Sequence, residues 1–271
     1  LLSTGSVLHA ARETLTEEVC RDVEVIGWLY QFYISERKDA VIGSKQKIEA
    51  EDIPAATQLF TPHWIVRYLV ENSLGRLWLL NRSNSRLAER MEYYIRPEQE
   101  ETGFLRVSSP EDLRLCDPAC GSGHMLTYAF DLLYAIYQEE GYNPPDIPRL
   151  ILQKNLTGLE IDERAGDLAA FALMMKGRAR DRRFFSRGVQ PDIVVLRPPG
   201  IDREQLARAD WFHNLGLTLL DRPLQEALLT DLHFLDQADN LGSLIRPQLT
   251  SEQIEELRGR IGAADDLLGH T

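Results

Sequence analysis

Apolar positions recur along this chain with two different periods, and the change from one to the other marks its elements. Over residues 14 to 35, Leu15, Val19, Val23, Ile26, Tyr30 and Tyr33 fall at helical spacing with Glu17, Glu18 and Asp22 between them, which predicts an amphipathic helix packed on its neighbours. Glu36 to Gln58 is charged, contains Gly43 and Pro54, and reads as a mobile or partner-ordered connection. Phe60-Thr61-Pro62 opens a second helix. Thr61 is its expected cap, Pro62 its first helical residue, and Ile65, Val66, Leu69 and Val70 its apolar face; Arg67 and Glu71 form an exposed i,i+4 pair. Residues 76 to 110 are polar and rich in Arg and Glu, with a helix-like patch from Leu87 to Tyr94, and read as a connector packed against the next domain.

Beyond residue 110 the apolar runs shorten. Leu113 to Cys116, Leu156 to Ile161 and Asp192 to Leu196 have strand length and alternate with helical patterns at Met125 to Glu140 and Glu163 to Arg180. Strand–helix alternation of this kind predicts an α/β fold, with three parallel strands forming half of a doubly wound sheet. From Ile201 onward the chain is leucine-rich and helical, with breaks at Pro223, Gly242 and Pro247 and a helix start at Thr250-Ser251-Glu252-Gln253. Four regions are expected: a helical N-terminal segment (1–75), a polar connector (76–110), an α/β core (111–200) and a helical insertion (201–271).

Composition narrows the functional classes. With 271 residues the chain can form one large or two modest domains, and 44% hydrophobic with 27% charged residues is ordinary for a globular protein. No apolar run approaches a membrane span and no signal-peptide pattern opens the chain, so a cytoplasmic location is expected. Cys20, Cys116 and Cys120 are too few for a disulfide framework and lack zinc-ligand spacing, so no metal site is expected. A formal charge of −12 disfavours tight DNA binding by this piece alone, because duplex affinity draws on neutralised phosphates. Leu1 in place of Met suggests a fragment.

The chemistry concentrates in Asp117-Pro118-Ala119-Cys120-Gly121-Ser122-Gly123, between the first strand and its helix. Two glycines permit a tight turn that brings backbone near a ligand, with free N–H groups at the positive end of the helix. The dinucleotide fingerprint needs a third glycine where Leu126 stands, and a P-loop needs Gly-Lys-Ser/Thr, which is missing. An acid at the strand end suits a cationic group and repels phosphate, which favours S-adenosyl-L-methionine over NAD or ATP. At the second strand end Glu160 occupies the position that accepts from ribose hydroxyls in Rossmann-like folds, both the 2′ and the 3′; Ile161 offers an apolar wall for adenine, and Asp162 caps the next helix. His124 reads as a loop-shaping side chain. Lys176, Arg178, Arg180, Arg182, Arg183 and Arg187 read as cations at a helix C-terminus, with a phosphate-facing patch as the alternative.

Asp-Pro-Ala-Cys-Gly-Ser-Gly resembles motif I of the amino-methyltransferases that modify adenine in DNA. The wider run from Gln58-Leu59-Phe60-Thr61-Pro62 through Gly158-Leu159-Glu160-Ile161-Asp162-Glu163-Arg164-Ala165-Gly166 resembles PglX, the adenine methyltransferase of BREX phage-defence systems, over most of this chain but only the front part of such an enzyme. The resemblance implies a partial Rossmann-like, S-adenosylmethionine-dependent methyltransferase sheet. It makes Thr61 and Pro62 a motif X helix start beside the methionine end of the cofactor, in the gamma-type order. It also implies a catalytic Asn/Asp-Pro-Pro-Tyr/Phe motif IV, whose aromatic ring stacks on a flipped base. Two partial matches fail: Asn143-Pro144-Pro145-Asp146 lacks the ring and reads as a turn, and Arg197-Pro198-Pro199-Gly200 offers donors where an acceptor is needed. No catalytic residue is therefore assigned, and the chain alone is expected to transfer no methyl group. Double-stranded DNA would be met through parts of the parent enzyme missing here, and other phage-defence proteins are candidate partners. Two alternatives share these features: a methyltransferase acting on protein or RNA amines or amides, and a non-catalytic interaction module with a methyltransferase fold.

Overall fold

The structure is a computed structural model and describes residues 9, 13–16, 19, 24–44, 52–57, 61–99, 101–196, 217, 221–235 and 244–268. Chain contacts divide it into two units, Leu1–Val195 and Leu196–Thr271.

The first unit opens with helices α1 (Glu24–Gly43), α2 (Ile53–Thr57) and α3 (His63–Val70), a π turn at Glu71–Gly75, and α4 (Arg76–Asn81). Both α1 and α2 enter the stretch expected to be a connection: Glu36, Arg37, Lys38 and Asp39 lie within α1. Tyr33, expected to pack, is 70% exposed. At α3 the N-cap position falls on Pro62 rather than Thr61, and no side chain caps the helix. The expected Arg67–Glu71 pair does not form. Glu71, at the start of the π turn, is instead completely buried and accepts from the Tyr93 N–H at 2.6 Å and the Tyr128 hydroxyl at 2.5 Å. Arg67 pairs instead with Glu92 at 2.7 Å.

Three parallel strands come next in the chain, β1 (Leu115–Asp117), β2 (Leu156–Glu160) and β3 (Asp192–Val195), in the order β1-β2-β3. Parallel neighbours need crossovers. Here α5 (His124–Glu139) and α6 (Ile147–Lys154) connect β1 to β2, and α7 (Glu163–Arg180) connects β2 to β3. Asp117 pairs with Gly158 and Glu160 with Val195, so the C-terminal ends of β1 and β2 open on one edge of the sheet. Gly158 lets the layers close: a Cβ there would lie 2.7 Å from Ile193 Cδ1, 2.9 Å from Leu126 Cδ1 and 3.0 Å from Cys120 Sγ. Val194 of β3 is 42% exposed, and β3 is paired on one side only among the described strands. This is a partial Rossmann-like sheet with helices around it.

Phe130, Leu133, Ile136 and Tyr137 of α5 form the centre of the core with Ile151 and Phe184. Residues 76 to 110 do more than connect, since Trp78, Leu87, Met91 and Val107 are buried in that same core. Asn155 anchors the start of the sheet, accepting from the Tyr137 hydroxyl at 2.9 Å and donating to Pro110 and Leu113 carbonyls at 2.8 Å. Asn143 to Asp146 is a surface turn, with Asn143 Nδ2 donating to Asp146 Oδ2 at 2.8 Å. Among the cations in and after the last turns of α7, Lys176 and Arg180 face Asp131, and Arg187, in the turn that follows, joins Asp146 and Asp181.

The second unit holds α8 (Arg222–Leu235) and α9 (Ser251–Leu268) around Leu217, Leu224 and Leu257. Pro223 lies in the first turn of α8, where its missing N–H costs nothing, and so begins a helix rather than breaking one. Thr250 and Gln253 cap α9 reciprocally: Thr250 N–H donates to Gln253 Oε1 at 2.8 Å, and Gln253 N–H to Thr250 Oγ1 at 3.3 Å. Arg197-Pro198-Pro199-Gly200 lies outside the described residues.

Candidate functional site at the ends of β1 and β2

In open α/β sheets, ligands bind beyond the carboxyl ends of the strands. At that edge the chain places the loop 118–123 beside residues 160–162. Gly121 and Gly123 both take positive φ, 54° and 86°. At Gly123 the requirement is double, since a Cβ would also meet Ala169 Cβ at 3.0 Å. The loop therefore turns tightly against α7 and leads directly into α5.

Four backbone donors of this loop are occupied. Ala119 N–H donates to Asp117 Oδ1 at 3.2 Å, Cys120 N–H to the Leu159 carbonyl at 2.9 Å, Gly121 N–H to Glu160 Oε2 at 2.6 Å, and Gly123 N–H to the Cys120 carbonyl at 2.8 Å. These donors are not the free N–H groups expected from the sequence. The consequence is chemical: a cradle of open N–H groups suits phosphate, and a loop that has turned these donors inward does not.

What the edge presents instead is negative charge. Asp117 and Glu160 are both buried, and burial raises the Asp117 pKa above its ordinary value, with the Glu160 charge adding to the shift. Two neighbouring carboxylates of this kind are stabilised by a cation. Ser122 is 4% exposed and its Oγ meets no hydrogen-bonding partner among the described residues, so one buried hydroxyl is available to a ligand.

Several expected roles change in detail. Glu160 was expected to receive two ribose hydroxyls, but its Oε1 already accepts from Ile161 N–H at 2.9 Å and Asp162 N–H at 3.0 Å. With two lone pairs per oxygen, Oε1 is filled and Oε2 keeps room for one more donor. Cys120 turns its thiol into the core, where burial and the adjacent acids push its pKa up to about 12. Pro118 and Ala119 are exposed at the tip, while Ile161 is half-buried. Asp162 caps α7 as expected, accepting from Arg164 N–H at 3.0 Å. Thr61 and Pro62 sit one step removed: the next residue, His63, meets Tyr128 of α5 edge-on, ring centroids 6.5 Å apart.

Sequence reading missed α1 as a neighbour of this site. A Cβ at Gly27 would fall 2.4 Å from Ser122 Oγ and 2.9 Å from His124 Nε2, and the Tyr30 hydroxyl donates to Asp162 Oδ2 at 2.5 Å. The available signal was Gly27 itself, because a glycine inside a helical stripe costs about 1 kcal/mol against alanine and marks a close approach.

No family model matches the chain. It is 44% identical over 268 residues to the adenine-specific methyltransferase BrxX of Escherichia coli O9:H4 (strain HS), covering 91% of this chain and 22% of that protein. Over this span the chain is PglX-like. To the adenine-specific methyltransferase PglX of Lacticaseibacillus casei (strain Zhang) it is 45% identical over 231 residues, covering 77% of this chain and 19% of that one. The PglX-like chain thus spans about a fifth of the length of the curated relatives it matches. Among its described residues no helix is long and apolar enough to cross a membrane.

Proposed function

We infer that this chain is the cofactor-binding portion of a site-specific DNA adenine-N6 methyltransferase of phage-defence type, and that it takes S-adenosyl-L-methionine at the edge formed by β1 and β2. The observation that carries the reading is the buried acid pair Asp117 and Glu160, beside a glycine loop whose Ala119, Cys120, Gly121 and Gly123 N–H groups are engaged internally. A sulfonium nucleoside with an ammonium group complements that charge; a pyrophosphate does not. The names of the two relatives, both adenine-specific methyltransferases, point the same way.

When bound, S-adenosyl-L-methionine supplies the methyl group, and this chain's part is to hold and orient it. Asp117 faces the cationic end, Ser122 offers a buried hydroxyl, Glu160 Oε2 takes one ribose hydroxyl, and Ile161 walls the adenine. Thr61 and Pro62 flank the methionine end through α3. Such catalysis rests largely on position. Presentation of a flipped adenine, contact with double-stranded DNA and any association with other phage-defence proteins are assigned to no residue of this chain. Work on DNA places the protein in the cytoplasm.

Calorimetric titration of S-adenosyl-L-methionine into the 271-residue chain and into Asp117→Ala and Glu160→Ala tests the site. The expected result is binding by the chain and at least about tenfold weaker binding by each variant, as loss of a charged or charge-assisted contact implies. Equal affinity in all three overturns the assignment. Tritium transfer from labelled cofactor to DNA by this chain alone is expected to be nil.

A further inference from the structure

Six cations and one acid fall between Lys176 and Arg187, in a chain whose formal charge is −12. Lys176 and Arg180 are answered by Asp131, and Arg187 by Asp146 and Asp181. Arg178, Arg182 and Arg183 form no ion pair among the described residues; Arg178 acts on Asp181 only through its charge. A helix C-terminus attracts cations within its last turn, which accounts for Arg178. Arg182 and Arg183 lie past Asp181, the residue that ends α7, and both are exposed.

The turn that carries them is firmly built. Phe184 is completely buried against α7, where a Cβ at Gly177 would lie 2.7 Å from its ring. Asp181, also buried, accepts from the Arg183 N–H at 2.9 Å and from Arg187 Nε at 2.5 Å, and the Ser186 hydroxyl donates to the Arg183 carbonyl at 2.7 Å. Phe185 meets Phe184 edge-on, ring centroids 6.3 Å apart, yet remains 54% exposed. Two guanidinium groups and one phenyl ring are thus held toward solvent on a fixed turn, so little ordering remains to oppose a contact there.

We propose that the turn after α7 docks an acidic protein surface, with Arg182 and Arg183 meeting its carboxylates, Arg178 adding charge, and Phe185 filling an apolar socket between them. Arginine and aromatic side chains are enriched at protein–protein interfaces and lysine is depleted, and the unpaired cations here are all arginine. A phosphate backbone uses the charge but gives the phenyl ring no partner. Position argues the same way. Helix α7 runs 18 residues from the end of β2 toward the start of β3, which sets its C-terminus about 27 Å from the edge that holds Asp117 and Glu160. A duplex engaged at that edge reaches the turn only by bending sharply. The proposal goes beyond the cofactor reading and draws on it only to place a target duplex at the opposite edge.

Fluorescence anisotropy of labelled probes with the 271-residue chain, Arg182→Glu/Arg183→Glu and Phe185→Ser tests the surface. The probes are a glutamate peptide with a leucine in every helical turn, the same peptide with serine for leucine, and a random-sequence DNA duplex. The variants change exposed side chains, so melting temperatures equal to that of the unaltered chain are expected. The leucine peptide is expected to bind, to lose at least about tenfold in affinity on charge reversal, and to lose about fivefold with Phe185→Ser. Phe185→Ser is expected to leave the weaker binding of the serine peptide unchanged. Failure of the leucine peptide to bind, or equal binding by the chain and both variants, overturns the proposal. So does tighter binding of the duplex that falls on charge reversal and not with Phe185→Ser, which makes the turn a phosphate contact. None of these titrations contains S-adenosyl-L-methionine, so their failure is separate from failure of the cofactor assignment.

Discussion

The backbone N–H of Gly121 donates to Glu160 Oε2 at 2.6 Å, joining two loops that lie 39 residues apart in the chain. With Oε1 holding the Ile161 and Asp162 N–H groups, one carboxylate fixes three backbone donors from two strand ends. Glu160 is thus a brace for the site before it is a ligand contact. Glu160→Ala leaves all three donors without their acceptor and is expected to cost about 2 kcal/mol in urea unfolding, with water recovering part of the loss at the sheet edge. Glu160→Gln keeps one oxygen and is expected to cost less than half as much. Equal costs for the two substitutions would show that charge, not geometry, holds the loops together.

Asp117 has the opposite character. Its carboxyl is held protonated to higher pH than in the unfolded chain, by burial first and the Glu160 charge after it, with only the Ala119 N–H pulling the other way. Because the native state then binds more protons than the unfolded state, stability falls as pH rises from the ordinary carboxylate value of 3.8 through the raised folded value, and is flat above. Asp117→Asn is expected to remove that slope and to melt higher than the unaltered chain at neutral pH, while binding a cationic cofactor more weakly. Thermal melts from about pH 4 to about pH 8 check the first expectation; a lower melting temperature for the variant at neutral pH would contradict it.

Elements governed by local rules were legible in the sequence, and those depending on a distant neighbour were not. Short apolar runs from Leu113 to Cys116 and from Leu156 to Ile161 announced β1 and β2, and the two glycines announced the turn between β1 and α5, because positive φ is a property of the residue itself. Asp162 as a cap and the helix start at Thr250 were legible for the same reason. Glu71 was misread because i,i+4 spacing cannot reveal that the Tyr93 N–H and the Tyr128 hydroxyl, 22 and 57 residues away in the chain, claim its carboxylate. The charged stretch after Glu36 was taken for a loop, although a polar face is what a solvated helix needs. Nothing local to Glu160 reveals that Gly121, on another loop, has claimed its oxygen. Only Gly27, awkward in a helix, carried a trace of the approach of α1.

The buried Glu71 makes a further case for reading costs as pairs. Its carboxylate is bridged between the Tyr93 N–H and the Tyr128 hydroxyl, which links the π turn after α3 to the helix that begins at the glycine loop. Burial together with this bond pushes the Tyr128 pKa upward. Tyr128→Phe leaves one carboxylate oxygen buried without its donor and is expected to cost about 1–3 kcal/mol; Glu71→Leu is expected to cost at least as much, by leaving the Tyr93 N–H and the hydroxyl unmet. In a double-mutant cycle the combined variant should lose about 1 kcal/mol less than the sum. Strict additivity would show that the two groups do not act on each other.

The two described cysteines give a direct probe of how the loop seats on the sheet. Cys116 is exposed on β1, while Cys120 is buried with its Sγ directed at the Gly121 carbonyl, 3.7 Å away. Thiolate, not thiol, is the nucleophile, and a pKa pushed up to about 12 leaves almost none of it on Cys120 at neutral pH. In a Cys20→Ser background, a disulfide reagent at about pH 8 should therefore modify one thiol rapidly and the other only as the chain unfolds, with mass mapping placing the fast site at Cys116. Adding denaturant should bring the two rates together at the unfolding midpoint. Rapid labelling of Cys120 in the native chain would mean that the loop lifts from β2 readily, and the Cys120–Leu159 and Gly121–Glu160 hydrogen bonds that hold it there would have to be transient.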